Sequence, residues 1–201
     1  MARPPTIQGD TATRVVLHMQ SVRLNDEQFA LLCRDNRDLR IEMTAAGDLI
    51  IMSPTNMETG RKSGRIFLRL ATWAERDGTG ECFDSSSLLT LPNGAKRSPD
   101  ASWILKSRWN KLSDEEKSKI SRIYPDFVLE LRSPSDKLED LQEKMEEYIA
   151  NGVRLGWLLD PIDNVAFVYT SGSAIHRIDR PTLLSGDPVL QGFAFDFREI
   201  L

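Results

Sequence analysis

Two carboxylates on separate apolar segments are the first candidates for chemistry. Glu130 lies within Tyr124-Pro-Asp-Phe-Val-Leu-Glu-Leu-Arg132, the densest strand signal in the chain. Side chains alternate faces along a strand. Phe127, Leu129 and Leu131 are therefore expected in one core, with Asp126, Val128, Glu130 and Arg132 on the opposite face. A carboxylate in the middle of such a strand is costly unless an ion pair or a metal compensates it. Asp100 sits in Ser98-Pro-Asp-Ala-Ser-Trp103, at a second short strand. By itself, an aspartate after proline is an ordinary turn residue. Two carboxylates converging from adjacent strands, however, can hold Mg²⁺ or Mn²⁺, hard cations that take oxygen ligands and keep several waters. Such a metal lowers the pKa of a bound water and offsets charge on a phosphate transition state.

Stepping outward, the elements that must position this pair follow from hydrophobic spacing. Residues 1–20 read as a flexible lead-in. Asn25 or Asp26 can cap a helix carrying Phe29, Leu31, Leu32 and Cys33. Arg40–Met43 and Asp48–Met52 flank Ala46-Gly47, a hairpin signal. Ile66, Phe67, Leu70, Ala71 and Ala74 recur at helical spacing over roughly 60–77, and Gly78 stops that helix. Arg61, Arg65 and Arg69 lie opposite this apolar face, as phosphate contacts or as a solvated surface. Strand signals follow near 82–83, 88–91 and 98–105, and a helix is expected from Ser113. After the strand at 124–132, a helix from Asp136 carries Leu138, Leu141, Met145, Tyr148 and Ile149 and closes at Asn151-Gly152. A strand at 153–159, read as fully buried in a sheet, and a hairpin at 165–169 and 174–178 complete the pattern. A strand–helix–strand unit over 125–159 predicts a parallel pair with a right-handed crossover. The fold class is α/β or α+β with a mixed sheet, in one domain over 21–201.

Composition excludes several classes. The chain has 201 residues, enough for one sizeable core. Two cysteines without CxxC spacing, and two histidines far apart, leave no basis for a disulfide framework, a zinc site or a Ser-His-Asp triad. No apolar run reaches the roughly 20 residues of a membrane span, and the N-terminus lacks the apolar core of a signal peptide. A cytoplasmic protein with no membrane contact is expected. The net charge of −4 speaks against a broad basic nucleic-acid surface.

The ordered blocks Met52-Ser-Pro-Thr55, Leu91-Pro-Asn-Gly-Ala95, Ser98-Pro-Asp-Ala-Ser-Trp103 and Pro125–Asp136 (PDFVLELRSPSD) resemble the Uma2 (DUF820) family. The similarity continues through Lys144, Tyr148, Asn151-Gly-Val153 and Leu155–Pro161 (LGWLLDP), and runs from about residue 38 to the C-terminus. The family looks like a branch of the PD-(D/E)xK superfamily. The resemblance implies a restriction-endonuclease-like mixed β-sheet core flanked by helices, and a Mg²⁺- or Mn²⁺-dependent endonuclease acting on DNA. It puts the metal on Asp100 and Glu130. The superfamily's lysine would fall at Arg132, which can clamp phosphate but is a poor base. In this superfamily the following helix sometimes supplies the lysine, and Lys144 is the candidate there, or else a solvated helix lysine. Glu58 is either a supporting acid or a residue that favours the helix dipole. Gln142 is a candidate for orienting the site. A homodimer is expected, since cutting both strands calls for two sites. Two rivals remain open: a nuclease-fold binding or regulatory protein without turnover, and a hydrolase of small phosphates.

Overall fold

The computed structural model describes residues 14–120 and 122–201, so most of the expected lead-in lies outside the described residues. Arg14–Leu17, expected within that lead-in, instead forms strand β1 and pairs antiparallel with Leu49–Met52. Val15-Val16-Leu17 has the apolar, β-branched character that suits a strand, but four residues are too few to show a period.

Helix α1 (Asp26–Asp35) is capped by Asn25, whose side chain accepts from the Gln28 amide while Gln28 reciprocates. Strands β2 (Arg40–Met43) and β3 (Leu49–Met52) form the expected hairpin. Helix α2 (Met57–Asp77) starts three residues before the predicted range, at the Asn56 cap, and ends on left-handed Gly78. Then come β4 (Gly80–Asp84), β5 (Leu89–Thr90), β6 (Lys96–Arg97) and β7 (Ala101–Leu105). Two single-turn helices follow, α3 (Lys106–Trp109) and α4 (Asp114–Lys117), the second capped by Ser113. The unit β8 (Phe127–Leu131), α5 (Leu138–Ala150) and β9 (Leu155–Asp160) has the predicted order. Gly152, at φ 100°, turns the chain from α5 toward β9. The chain ends with β10 (Val165–Thr170), β11 (His176–Asp179), β12 (Leu183–Ser185), β13 (Ala194–Asp196) and a 3₁₀ turn over Phe197–Ile200.

Six strands form one sheet in the order β11-β10-β9-β8-β7-β4, and β8–β9 is its parallel pair. A second sheet runs β1-β3-β2-β6-β5. The central strands β8 and β9 of the six-stranded sheet are buried on both faces. Phe127, Leu129 and Leu131 join Ile66 and Leu70 of α2 and the C-terminal Phe193, Phe195 and Phe197 in one core. Val128 and Leu158 face Met145 and Tyr148 of α5 in another. The predicted alternation along β8 thus holds, and it turns Glu130 toward α5.

Candidate active site

The β7–β8 ladder pairs Ala101 with Leu129 and Ser102 with Val128. One step further along the same antiparallel register, Asp100 stands opposite Glu130. Opposed residues share a face and bring their Cβ atoms to about 4.5–5.5 Å. Asp100 is anchored at the strand end, where its Oδ2 accepts from the Leu131 amide at 2.9 Å. Glu130 is buried, and its Oε1 accepts from the Tyr148 hydroxyl at 2.9 Å and pairs with Lys144 Nζ at 2.9 Å. Lys144 and Tyr148 are four apart on α5 and so lie on one face of it.

The second sheet adds residues that the sequence did not single out. On β2, Ile41 and Met43 pack into the core with Phe29 and Leu49, which leaves Arg40 and Glu42 for the opposite face. The buried Glu42 carboxylate accepts from Lys144 Nζ at 3.0 Å, the Ser98 amide at 2.9 Å and Arg97 Nη1 at 3.2 Å. Arg97 Nε also donates to Glu147 at 2.6 Å. Arg40 Nη2 donates to the Ser98 carbonyl at 2.8 Å and lies 3.6 Å from Asp100 Oδ1. The alternation of Arg40-Ile-Glu-Met43 was a readable signal for a polar face, but nothing local indicates that this face meets α5.

Charge decides the protonation of these groups. Burial, with repulsion from Asp100 and Glu42, outweighs Lys144 and pushes Glu130 up to about 7. Asp100 is also raised by burial, against the pull of Arg40 and the Leu131 amide. Burial works against the Glu42 anion too, but Lys144, Arg97 and the Ser98 amide together bring its carboxyl below the usual range. Lys144 is raised, because Glu130 and Glu42 outweigh the effect of its burial. It is therefore held as an ammonium ion.

Asp100, Glu130 and Lys144 are thus together. The other sequence candidates lie apart. Arg132 was expected on the face of Glu130, but it stands past the end of β8, where Asp160 at 2.6 Å and Asp163 at 2.8 Å draw its guanidinium. The position two residues after Glu130 therefore serves an ion pair at the end of β9. Glu58, at the first turn of α2, is ion-paired with Arg61 at 2.6 Å. Glu58, Lys62 and Arg132 line a cleft of about 100 Å³ beside Leu131. Gln142 is partly buried on α5, two positions before Lys144, a spacing at which helix side chains do not share a face. Of the arginine stripe on α2, Arg61 is occupied by Glu58 and Arg69 by Glu199.

The donors suit a hard divalent cation. Among the described residues, no three Asp, Glu, His or Cys side chains gather as a metal cluster. The set is the pair Asp100 and Glu130, and Mg²⁺ completes such a set with water. Asp100 Oδ1 and Glu130 Oε2 accept no hydrogen bond from the described residues, and so remain available to a cation.

A mixed sheet with its one parallel pair joined through α5 defines an α+β protein of the restriction-endonuclease-like class. The chain matches the model of the Uma2 family, described as "Putative restriction endonuclease", over residues 26–198, and it belongs to that family. Among solved structures it is similar to "a putative nuclease belonging to DUF820 from Anabaena variabilis ATCC 29413". That likeness has a TM-score of 0.71 at 18% identity, covers 88% of this chain and 97% of the other, and speaks for the fold. No curated protein matches the chain. No helix of the described residues is long and apolar enough to cross a membrane.

Proposed function

We propose that this protein is a Mg²⁺- or Mn²⁺-dependent endonuclease that hydrolyses phosphodiester bonds of DNA in the cytoplasm, with Asp100 and Glu130 as metal ligands. The observation that carries the reading is Lys144 Nζ at 2.9 Å from Glu130 and 3.0 Å from Glu42. It brings to the carboxylate pair the cation that position 132 does not supply. The metal, when bound, lowers the pKa of a water and offsets phosphate charge.

The remaining work falls to side chains. Asp100 is held in place by the Leu131 amide and Glu130 by the Tyr148 hydroxyl. Lys144, kept protonated by two carboxylates, stabilises negative charge on the phosphate and orients the attacking water; it is not a base in this state. A homodimer supplies the two sites that duplex cleavage calls for, and light scattering at high micromolar concentration tests that assembly.

The activity test is cleavage of supercoiled plasmid with Mg²⁺ or Mn²⁺ by clean wild type and Lys144→Gln. Loss of one charged contact made in the transition state costs ~100- to 1,000-fold in rate. Glutamine keeps a polar head on a side chain one atom shorter, and circular dichroism checks the fold. Absence of cleavage by wild type would favour a nuclease-fold binding or regulatory protein. Full activity of Lys144→Gln would move the lysine's role elsewhere.

A further inference from the structure

We infer that Arg40, contributed by the second sheet, binds a DNA phosphate next to the carboxylate pair. The inference rests on the proposed nuclease reading and adds to it the residue that meets the substrate backbone.

Arg40 is incompletely used by the protein. One of its three guanidinium nitrogens, Nη2, is engaged: it donates to the Ser98 carbonyl at 2.8 Å and stands 3.6 Å from Asp100 Oδ1. Its Nε is buried and has no hydrogen-bond partner. Buried donors are nearly always satisfied, so an orphan calls for an explanation. Nη1 donates to no described residue, and the side chain is 37% exposed. The other cations of the site each pair with two carboxylates, Lys144 with Glu130 and Glu42 and Arg97 with Glu42 and Glu147, so Lys144 meets the reacting phosphate from within that cluster while Arg40 keeps unpaired donors. A planar fork with free donors, one residue width from a candidate metal ligand, suits a phosphate oxygen. A metal held by Asp100 would offset the charge of the carboxylates that face such a phosphate.

The test is binding of a labelled DNA duplex to the full chain, followed by fluorescence anisotropy over a salt series at fixed Ca²⁺. Each phosphate neutralised contributes about 0.9 to the slope of log affinity against log salt. Arg40→Ala is expected to lower the slope magnitude by about 0.9. Arg40→Gln, which retains a donor for the Ser98 carbonyl, is expected to do the same and guards against a folding defect in the alanine variant. Arg40→Lys should restore the slope, because the slope counts cations and not their geometry. Wild-type slopes in both neutral variants, with melting temperatures unchanged, would overturn the inference and leave the nuclease reading standing. Absence of salt-dependent duplex binding by wild type would overturn both.

Discussion

Glu130 is the residue whose environment says most. A carboxyl group raised from 4.5 to about 7 binds more protons in the folded chain than in the unfolded chain between those values. Stability from this group is therefore fully present below about 4.5 and is lost as pH rises through about 7. In the metal-free protein, Glu130→Gln should flatten the fall in melting temperature over that window relative to wild type. Thermal melts in EDTA across the pH series check this, and equal slopes in both proteins would refute it. A metal on the same carboxylate must displace the proton that Glu130 holds, so metal affinity should rise with pH through about 7. At this scale the sequence was informative wherever a charge interrupted an apolar run. Glu130 was legible for that reason, Asp100 only in combination with it, and Lys144 through the family resemblance. Arg40, Glu42 and Arg97 were not, because their partners come from elements that are distant in sequence. The same cause misdirected Arg132: Asp160 and Asp163, about thirty residues later, decide where its guanidinium goes.

The pairing of elements turns these residues into a site. Strand β8 and helix α5 were readable from their periods of two and 3.6, and the crossover fixes their order in the sheet. The second sheet was readable as a hairpin but not as the wall of a site. Strands β12 and β13, three residues each around Gly186, Pro188 and Gly192, are too short for any period to emerge. Glu42 ties the second sheet to α5: it links β2 to that helix through Lys144, and to β6 of its own sheet through Arg97. Glu42→Ala removes a buried anion shared by two cations, a loss of about 3–5 kcal/mol when no partner remains. Lys144 keeps Glu130 and Arg97 keeps Glu147, so the low end, ~3 kcal/mol, is expected. Urea denaturation measures it, and a loss under about 1 kcal/mol, the scale of an exposed pair, would show that the tie contributes little.

For the whole molecule, the proposed nuclease reading asks an acidic chain with a net charge of −4 to bring DNA to a cluster of carboxylates. A divalent ion resolves that conflict, and the central claim is that Asp100 and Glu130 share one. The most direct measurement needs no substrate: the melting temperature of the protein against Mn²⁺ and Mg²⁺ concentration. An ion that binds the folded state alone, at 100 times its dissociation constant, adds ~2.7 kcal/mol. For a chain of this size each kcal/mol corresponds to about 2–4 °C, so a rise of roughly 5–10 °C is predicted. Asp100→Asn and Glu130→Gln should each abolish most of that rise, and each should melt no lower than wild type without metal, because repulsion between the carboxylates is relieved. Arg65→Ala, on the exposed side of α2, should keep the full rise. A wild type with no metal-dependent rise at millimolar Mn²⁺, or a rise retained in both carboxamide variants, would contradict the claim.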